Sequence, residues 1–413
     1  MLCRLSGGIC NDRRGKQGCP MLNRNMSILF FLYAISWCVM ALAFSATASI
    51  GLSLVENKNI ALLPLITQVL GSVFITLPAS KVMKQYGRRI GLAAGSLFGV
   101  IGALLCAYGV YIGNFWVLVA ATPFIGMFTG FAEFIKYAAS DIYDDGDKKS
   151  RAISIIVSSG IIAAFLGPWV ASYSNSFFFH IKPYFGPYVS VFGFCLLSLI
   201  LSLFLNMKNG EQDDQNRKPA MSFFLVIKNP HFVAGTLASA IAYLTMAAMM
   251  DAMPIAMLHH GFNFDHTTEV VQWHLLAMFA PSYLTGKLVN HLGAKPVIFI
   301  GIFVNFVGIC FALTGTEYYN FWTSLFLIGL GWNLMFLAGI SIIATISDDM
   351  RPAAEGASNA ILVVCFAISA PIASIILFQL GWFFVSIYAL ILLSCALLAV
   401  LIAEKKSPMV LER

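Results

Sequence analysis

The sequence predicts an all-α membrane protein of twelve transmembrane helices in two pseudo-symmetric six-helix halves. Bulk apolarity, the placement of Lys and Arg, and an internal repeat predict it. Of 413 residues, 59% are hydrophobic and only 11% charged, against about 25% charged in an average soluble domain. A folded surface must still be wetted, so a chain this apolar needs lipid as a second solvent. Lipid offers the backbone no hydrogen-bond partner, which selects helices; the alternation of barrel strands is absent.

The elements follow in chain order. Residues 1–26 hold Arg4, Arg13, Arg14, Lys16 and Arg24 but lack the apolar core of a signal peptide; they are expected as a cytoplasmic tail, with Met21 and Met26 as alternative starts. A span needs about 20 mostly apolar residues. The N-terminal half, 27–206, offers six: 27–51, 60–81, 90–112, 115–137, 152–175 and 184–206. A polar stretch, MKNGEQDDQNRKPA from Met207 to Ala220, opens a cytoplasmic linker over 207–230. The C-terminal half, 231–403, offers six more: 231–256, 268–287, 296–315, 321–346, 358–379 and 381–403, before a tail over 404–413.

Loop charges fix the expected orientation. With both termini inside, all but two of the 25 Lys and Arg fall in cytoplasmic segments, and only Lys58 and Lys182 face out. This asymmetry orients inner-membrane proteins. The net charge of +6 is then a topology signal and not a nucleic-acid surface. Six cysteines lie in apolar runs; Cys3, Cys10 and Cys19 lie in the leader with no metal or redox spacing, so no disulfide framework is expected.

A repeat divides the chain. ASKVMKQYGRR begins at Ala79 and TGKLVNHLGAK at Thr285, 206 residues later, aligning Lys81 with Lys287 and Gly87 with Gly293. Each follows the second span of its half. These segments resemble the signature of the major facilitator superfamily, which has Gly, Asp four residues on, then Gly-Arg-Arg/Lys. Gly87, Arg88 and Arg89 match, whereas Ser80 and Lys84 replace the first Gly and the Asp. Gly286, Gly293 and Lys295 match in the second half, with Asn290 at the Asp place. In the family that Asp helps latch the cytoplasmic side, so its absence implies that closure need not use the usual latch. FIKYAASDIYDDGDKKSRAISIIVSSGIIAAFLGP from Phe134, PIAMLHHGFNFDHTTEVVQWHLLAMFAPSYLTGKLV from Pro254 and GLGWNLMFLAG from Gly329 resemble a bacterial branch that includes riboflavin importers. The drug/proton antiporters fit less well. Thr122 stands where they carry Arg, and Ala171 and Ser172 stand where they carry paired glycines after Gly160, Gly167 and Pro168.

The resemblance implies a secondary active transporter that moves a small organic solute by alternating access, with protons as the coupling ion. Uptake of riboflavin or a similar heterocycle is the first reading; drug efflux, siderophore or amphiphile traffic, and a non-transporting receptor are the alternatives. It also places the first, fourth, seventh and tenth spans around a central cavity. Tyr33, Trp37, Phe128, Thr129, Tyr243, Met246, Trp332 and Asn333 lie at mid-depth there; all of these but Met246 are the expected substrate-binding residues, with plain helix packing as the competing reading. Gln68 and Asn305 read as glue between helices. Ionisable residues inside spans are costly and mark function. Asp251 before Pro254, His274, and Glu133 three residues before Lys136 are the expected proton carriers. A local ion pair with Lys136 competes for Glu133, outer water for Asp251 and a helix–helix hydrogen bond for His274. Gating is expected from Lys84, Gly87, Arg88, Arg89, Lys136, Asp141, Arg151, Gly286 and Gly293.

His259, His260, Asp265, His266 and Glu269 share one loop without a metal-ligand spacing, so no metal is expected. No nucleotide loop, HExxH motif or serine elbow is present, so no cofactor and no enzyme activity are expected. The expected partners are the small solute, the proton and the bilayer of a bacterial inner membrane, with a monomer as the working unit.

Overall fold

The computed structural model describes residues 23–55, 60, 63–143, 145–207, 226–262, 264–347 and 349–406. Most of the expected N-terminal tail and linker, part of the C-terminal tail, and Lys58 lie outside the described residues. Every regular element described is a helix. In order these are α1 (Arg24–Leu54), α2 (Leu63–Ile112), α3 (Phe115–Ala132), α4 (Ile135–Ser140), α5 (Gly146–Ser158), α6 (Gly160–Phe178), α7 (Phe185–Leu203), α8 (Pro230–His259), α9 (Phe264–Phe279), α10 (Ser282–Leu292), α11 (Ala294–Thr314), α12 (Tyr318–Ala344), α13 (Arg351–Leu380) and α14 (Trp382–Lys406). They fill the twelve expected spans, α1–α7 forming the first half and α8–α14 the second.

Local chemistry sets the helix ends. Asn23, Asn114 and Asn229 each accept backbone N–H groups of the following turn, at α1, α3 and α8; this satisfies donors that a helix start leaves open. α2 holds two spans joined at Gly87, whose φ of 87° and ψ of 162° leave the helical region. Gly293 adopts φ 83° and ψ 165° between α10 and α11. The same left-handed turn thus closes the second span of each half, a backbone only glycine enters freely.

Three expected spans are broken. The fourth tightens at Glu133 and Phe134, where Phe134 N–H bonds the carbonyl of Phe131 at 3.2 Å, and continues as α4. The fifth starts earlier, at Gly146, and tightens at Ser159, whose hydroxyl donates to Ile156 O at 2.7 Å. The eighth breaks between α9 and α10 at Ala280–Pro281, where proline has no N–H to give. Pro78, Pro123, Pro254 and Pro371 stay inside helices.

The outside is apolar. Phe74, Phe303 and Trp169 are each more than 60% exposed, a surface suited to lipid and unsuited to water. The halves meet along α2 with α13, α5 with α10 and α12, and α6 with α9. The seam is closed at the face where the basic loops lie. Ser80 donates to Pro352 O, Ser150 and Ser341 hydroxyls are 3.1 Å apart, and Asn290 donates to Asp147 O at 3.0 Å.

Candidate functional site

A cavity of about 380 Å³ lies between the halves. α1, α2, α3 and α6 line it from one side, and α8, α9 and α13 from the other. Its walls are apolar and soft. Trp37, Tyr243, Phe279 and Phe366 supply aromatic faces, and Met40, Met246, Met250 and Met278 supply thioethers. The carboxylates of Glu133 and Asp251 line it from opposite halves, and among the described residues no Lys, Arg or His does.

The helical period decides which expected residues reach it. Trp37, Thr129, Tyr243 and Met246 line the cavity. Phe128 and Thr129 are neighbours about 100° apart around the helix; Phe128 packs instead against Gly99, inside the first half. Tyr33 is buried, its ring 6.2 Å from Trp37. Trp332 does not line the cavity. It stacks on Phe336 at 4.6 Å and meets Tyr243 edge-on at 5.5 Å. Asn333 donates to Met278 O at 2.6 Å and to Ser282 Oγ at 2.7 Å, and accepts from Thr285. It holds the break between α9 and α10 together.

Beneath the cavity an aromatic floor crosses the seam. Trp37 meets Phe279 edge-on at 4.9 Å, and Phe279 meets Trp332 at 6.2 Å. Lys136 is buried with no exposed side-chain surface, its Nζ 2.5 Å from Glu133 Oε2 and 5.2 Å from the Phe336 ring centre. Glu133 therefore serves two surroundings at once, the cavity and a buried cation. Of the expected proton carriers, the cavity brings Glu133 and Asp251 together. His274 sits elsewhere, buried in the second half, with Nδ1 2.7 Å from Leu325 O.

At the basic face the expected gating residues divide. Gly87 and Gly293 form the two turns, and Gly286 lets α10 lie against Ser154 of α5, where a side chain would collide. Lys84, Arg89 and Arg151 are exposed. Arg88 bonds Asp141 at 2.9 Å through Nε and Glu355 at 2.6 Å through Nη2, and Asp141 reaches Arg351 at 3.3 Å. Arg88 and Asp141 belong to the first half, Arg351 and Glu355 to the second, so the ion network ties the halves together. It needs no acid at Lys84. Asn290, at the other missing Asp, supplies its own bond across the seam.

Sequence reasoning missed Glu355, Phe279 and the role of Gln68. Glu355 carried a usable signal, a lone acid near the start of an apolar run. Gln68, read as glue, bonds no other helix: neither amide atom has a partner among the described residues. In the histidine-rich loop, His259, His260 and His266 pack on the rings of Phe378, Phe321 and Tyr318.

Comparison with known proteins places this architecture. The family model described as Major Facilitator Superfamily matches residues 26–282. A riboflavin transporter, RfnT of Brucella anthropi, is 29% identical over 87% of this chain and 90% of its own. An uncharacterized MFS-type transporter of Bacillus subtilis, YddS, is 24% identical over 84% of this chain and 83% of its own. Among solved structures, a bacterial homologue of the iron transporter ferroportin in an outward-facing state superposes with a TM-score of 0.74 at 14% identity, covering 94% of this chain and all of that one. FucP in its outward conformation gives 0.71 at 14% identity, covering 92% and 98%. Two broken six-helix halves around a shared cavity, repeated glycine turns and a match over most of the length agree: the chain belongs to the major facilitator superfamily of membrane transporters.

Proposed function

We propose that the protein is a proton-coupled importer of riboflavin or a closely similar flat heterocycle, working by alternating access in a bacterial inner membrane. The observation that carries this reading is the cavity between the halves, walled by aromatic rings and thioethers and holding one carboxylate from each half. Aromatic and sulfur-bearing side chains suit the faces of a flat ring system. The name of the relative RfnT supplies the heterocycle. The basic face is cytoplasmic, as the loop charges argue, and the termini lie there. In the conformation described, the ion network and the aromatic floor close the path to the cytoplasm. Transport separates Trp37 from Phe279 and Arg88 from Glu355 while the halves rock around the cavity. Glu133 and Asp251 take up the coupling proton, since they are the two acids facing the substrate. A single chain carries the complete site.

Uptake of labelled riboflavin by a riboflavin auxotroph expressing the chain tests the reading. Growth rescue at low riboflavin, abolished by an uncoupler, is the expected result. No rescue sinks the substrate, and rescue that survives the uncoupler sinks the proton coupling.

A further inference from the structure

The polar groups of the cavity wall are few, and most are already committed. Ser72 donates to Val69 O at 2.7 Å and Thr129 to Gly126 O at 2.8 Å, each within its own helix. Glu133 is held by Lys136. Gln68 is different. It lines the cavity, it is 1% exposed, and both its amide nitrogen and its amide oxygen lack a partner among the described residues. A buried amide left unbonded costs about 1–3 kcal/mol per group, so a side chain kept this way calls for a ligand.

Its backbone is held in place. Thr67, its neighbour, shares a hydrogen bond with Thr122 of α3 at 2.8 Å and donates to Val119 O at 3.1 Å. Gly126 of α3 lies so close to the Gln68 carbonyl that a side chain there would collide with it. α2 and α3 are therefore pinned at this level, and Gln68 is a preorganised element of the wall.

We propose that Gln68 is the specificity-determining residue of the cavity and reads a lactam or imide edge on a flat heterocycle. An amide offers one donor face and one acceptor beside it. A lactam or imide edge offers the complement, an N–H next to a C=O, so two parallel hydrogen bonds form in the plane of the ring while the aromatic and thioether wall meets its faces. With two carboxylates and no basic side chain among the described residues of the wall, an anionic substrate is disfavoured, a phosphorylated or carboxylated form included. The inference rests on the cavity being the substrate site, and it does not require the substrate to be riboflavin.

The test is calorimetric binding to the purified full-length protein with two ligand pairs. One pair is riboflavin and riboflavin methylated on its imide nitrogen. The other is lumichrome, which keeps the imide, and phenazine, a three-ring heterocycle that lacks it. Wild type is expected to prefer the imide-bearing member about tenfold, the worth of one net hydrogen bond. Gln68→Leu is expected to abolish that preference, leave the imide-free member unchanged, and leave the melting temperature unchanged or raised, because a buried unbonded amide is removed. A preference retained in Gln68→Leu overturns the inference, as does an equal loss for both members or a lowered melting temperature, the mark of helix glue. Preference within the lumichrome pair with no riboflavin binding upholds Gln68 and removes riboflavin as the substrate. No binding of either pair overturns both.

Discussion

Lys136 is a cation with no exposed side-chain surface, set against Phe336 and Tyr137 and answered by Glu133. Removing one partner of such a pair strands the other charge, at about 3 kcal/mol or more, whereas replacing both by apolar groups is near neutral. Glu133→Gln is therefore expected to lower thermal stability, and Glu133→Gln with Lys136→Met to recover it; a thermal unfolding series on the purified protein checks this. Asp251 has no such ion-pair partner among the described residues, so Asp251→Asn is expected to leave folding intact. It should lower proton-driven accumulation more than equilibrium exchange, measured by uptake into vesicles with and without an imposed gradient; equal effects on both would remove Asp251 from coupling. Residue depth was legible in the sequence, because distance along a span converts to depth in lipid. Residue direction was not. Phe128 and Thr129 share a depth, yet one faces the core and the other the cavity, and nothing local to either marks the difference. Trp332 and Asn333 lie on α12, which is buried on nearly every side, so neighbouring helices take up what the cavity does not.

Helix α13 carries the counter-charges that close the basic face. Glu355 is fully buried and Arg88 nearly so, which makes their bond less screened than a surface pair. Glu355→Gln is expected to loosen the seam and raise labelling of a cysteine placed at Ser80, next to Pro352 and Gly356; unchanged labelling would mean that the ion network is not a latch. Gly286→Val acts on the same seam from α10. Its side chain would meet Ser154 and should give the same increase without touching any charge. The turn glycines were legible, since Gly87 and Gly293 recur in register and a left-handed turn requires them. The breaks were legible only in part. Pro281 announces the one between α9 and α10 and the Ser159–Gly160 pair marks the one in the fifth span, while Glu133 and Phe134 carry no local preference for a break.

At the scale of the molecule, two repeated halves share one cavity and one closed face. Ser150 and Ser341 stand 3.1 Å apart, hydroxyl to hydroxyl, on opposite halves. A disulfide between Ser150→Cys and Ser341→Cys is expected to stop transport while leaving ligand binding, and reductant should restore transport; activity that persists in the cross-linked protein would show that this seam need not open. The architecture was the most legible level of all. Apolarity, loop charge and repetition are properties of long stretches, and lipid enforces them residue after residue. The cavity's contents depended on how broken helices rotate against one another, which no stretch of sequence states. Its wall carries one more consequence. Four thioethers, of Met40, Met246, Met250 and Met278, surround the same small space, and oxidation would turn each into a polar, chiral sulfoxide. Peroxide should therefore wear out this protein from inside, weakening ligand binding before it unfolds the chain, and methionine sulfoxide reductase should return it to service.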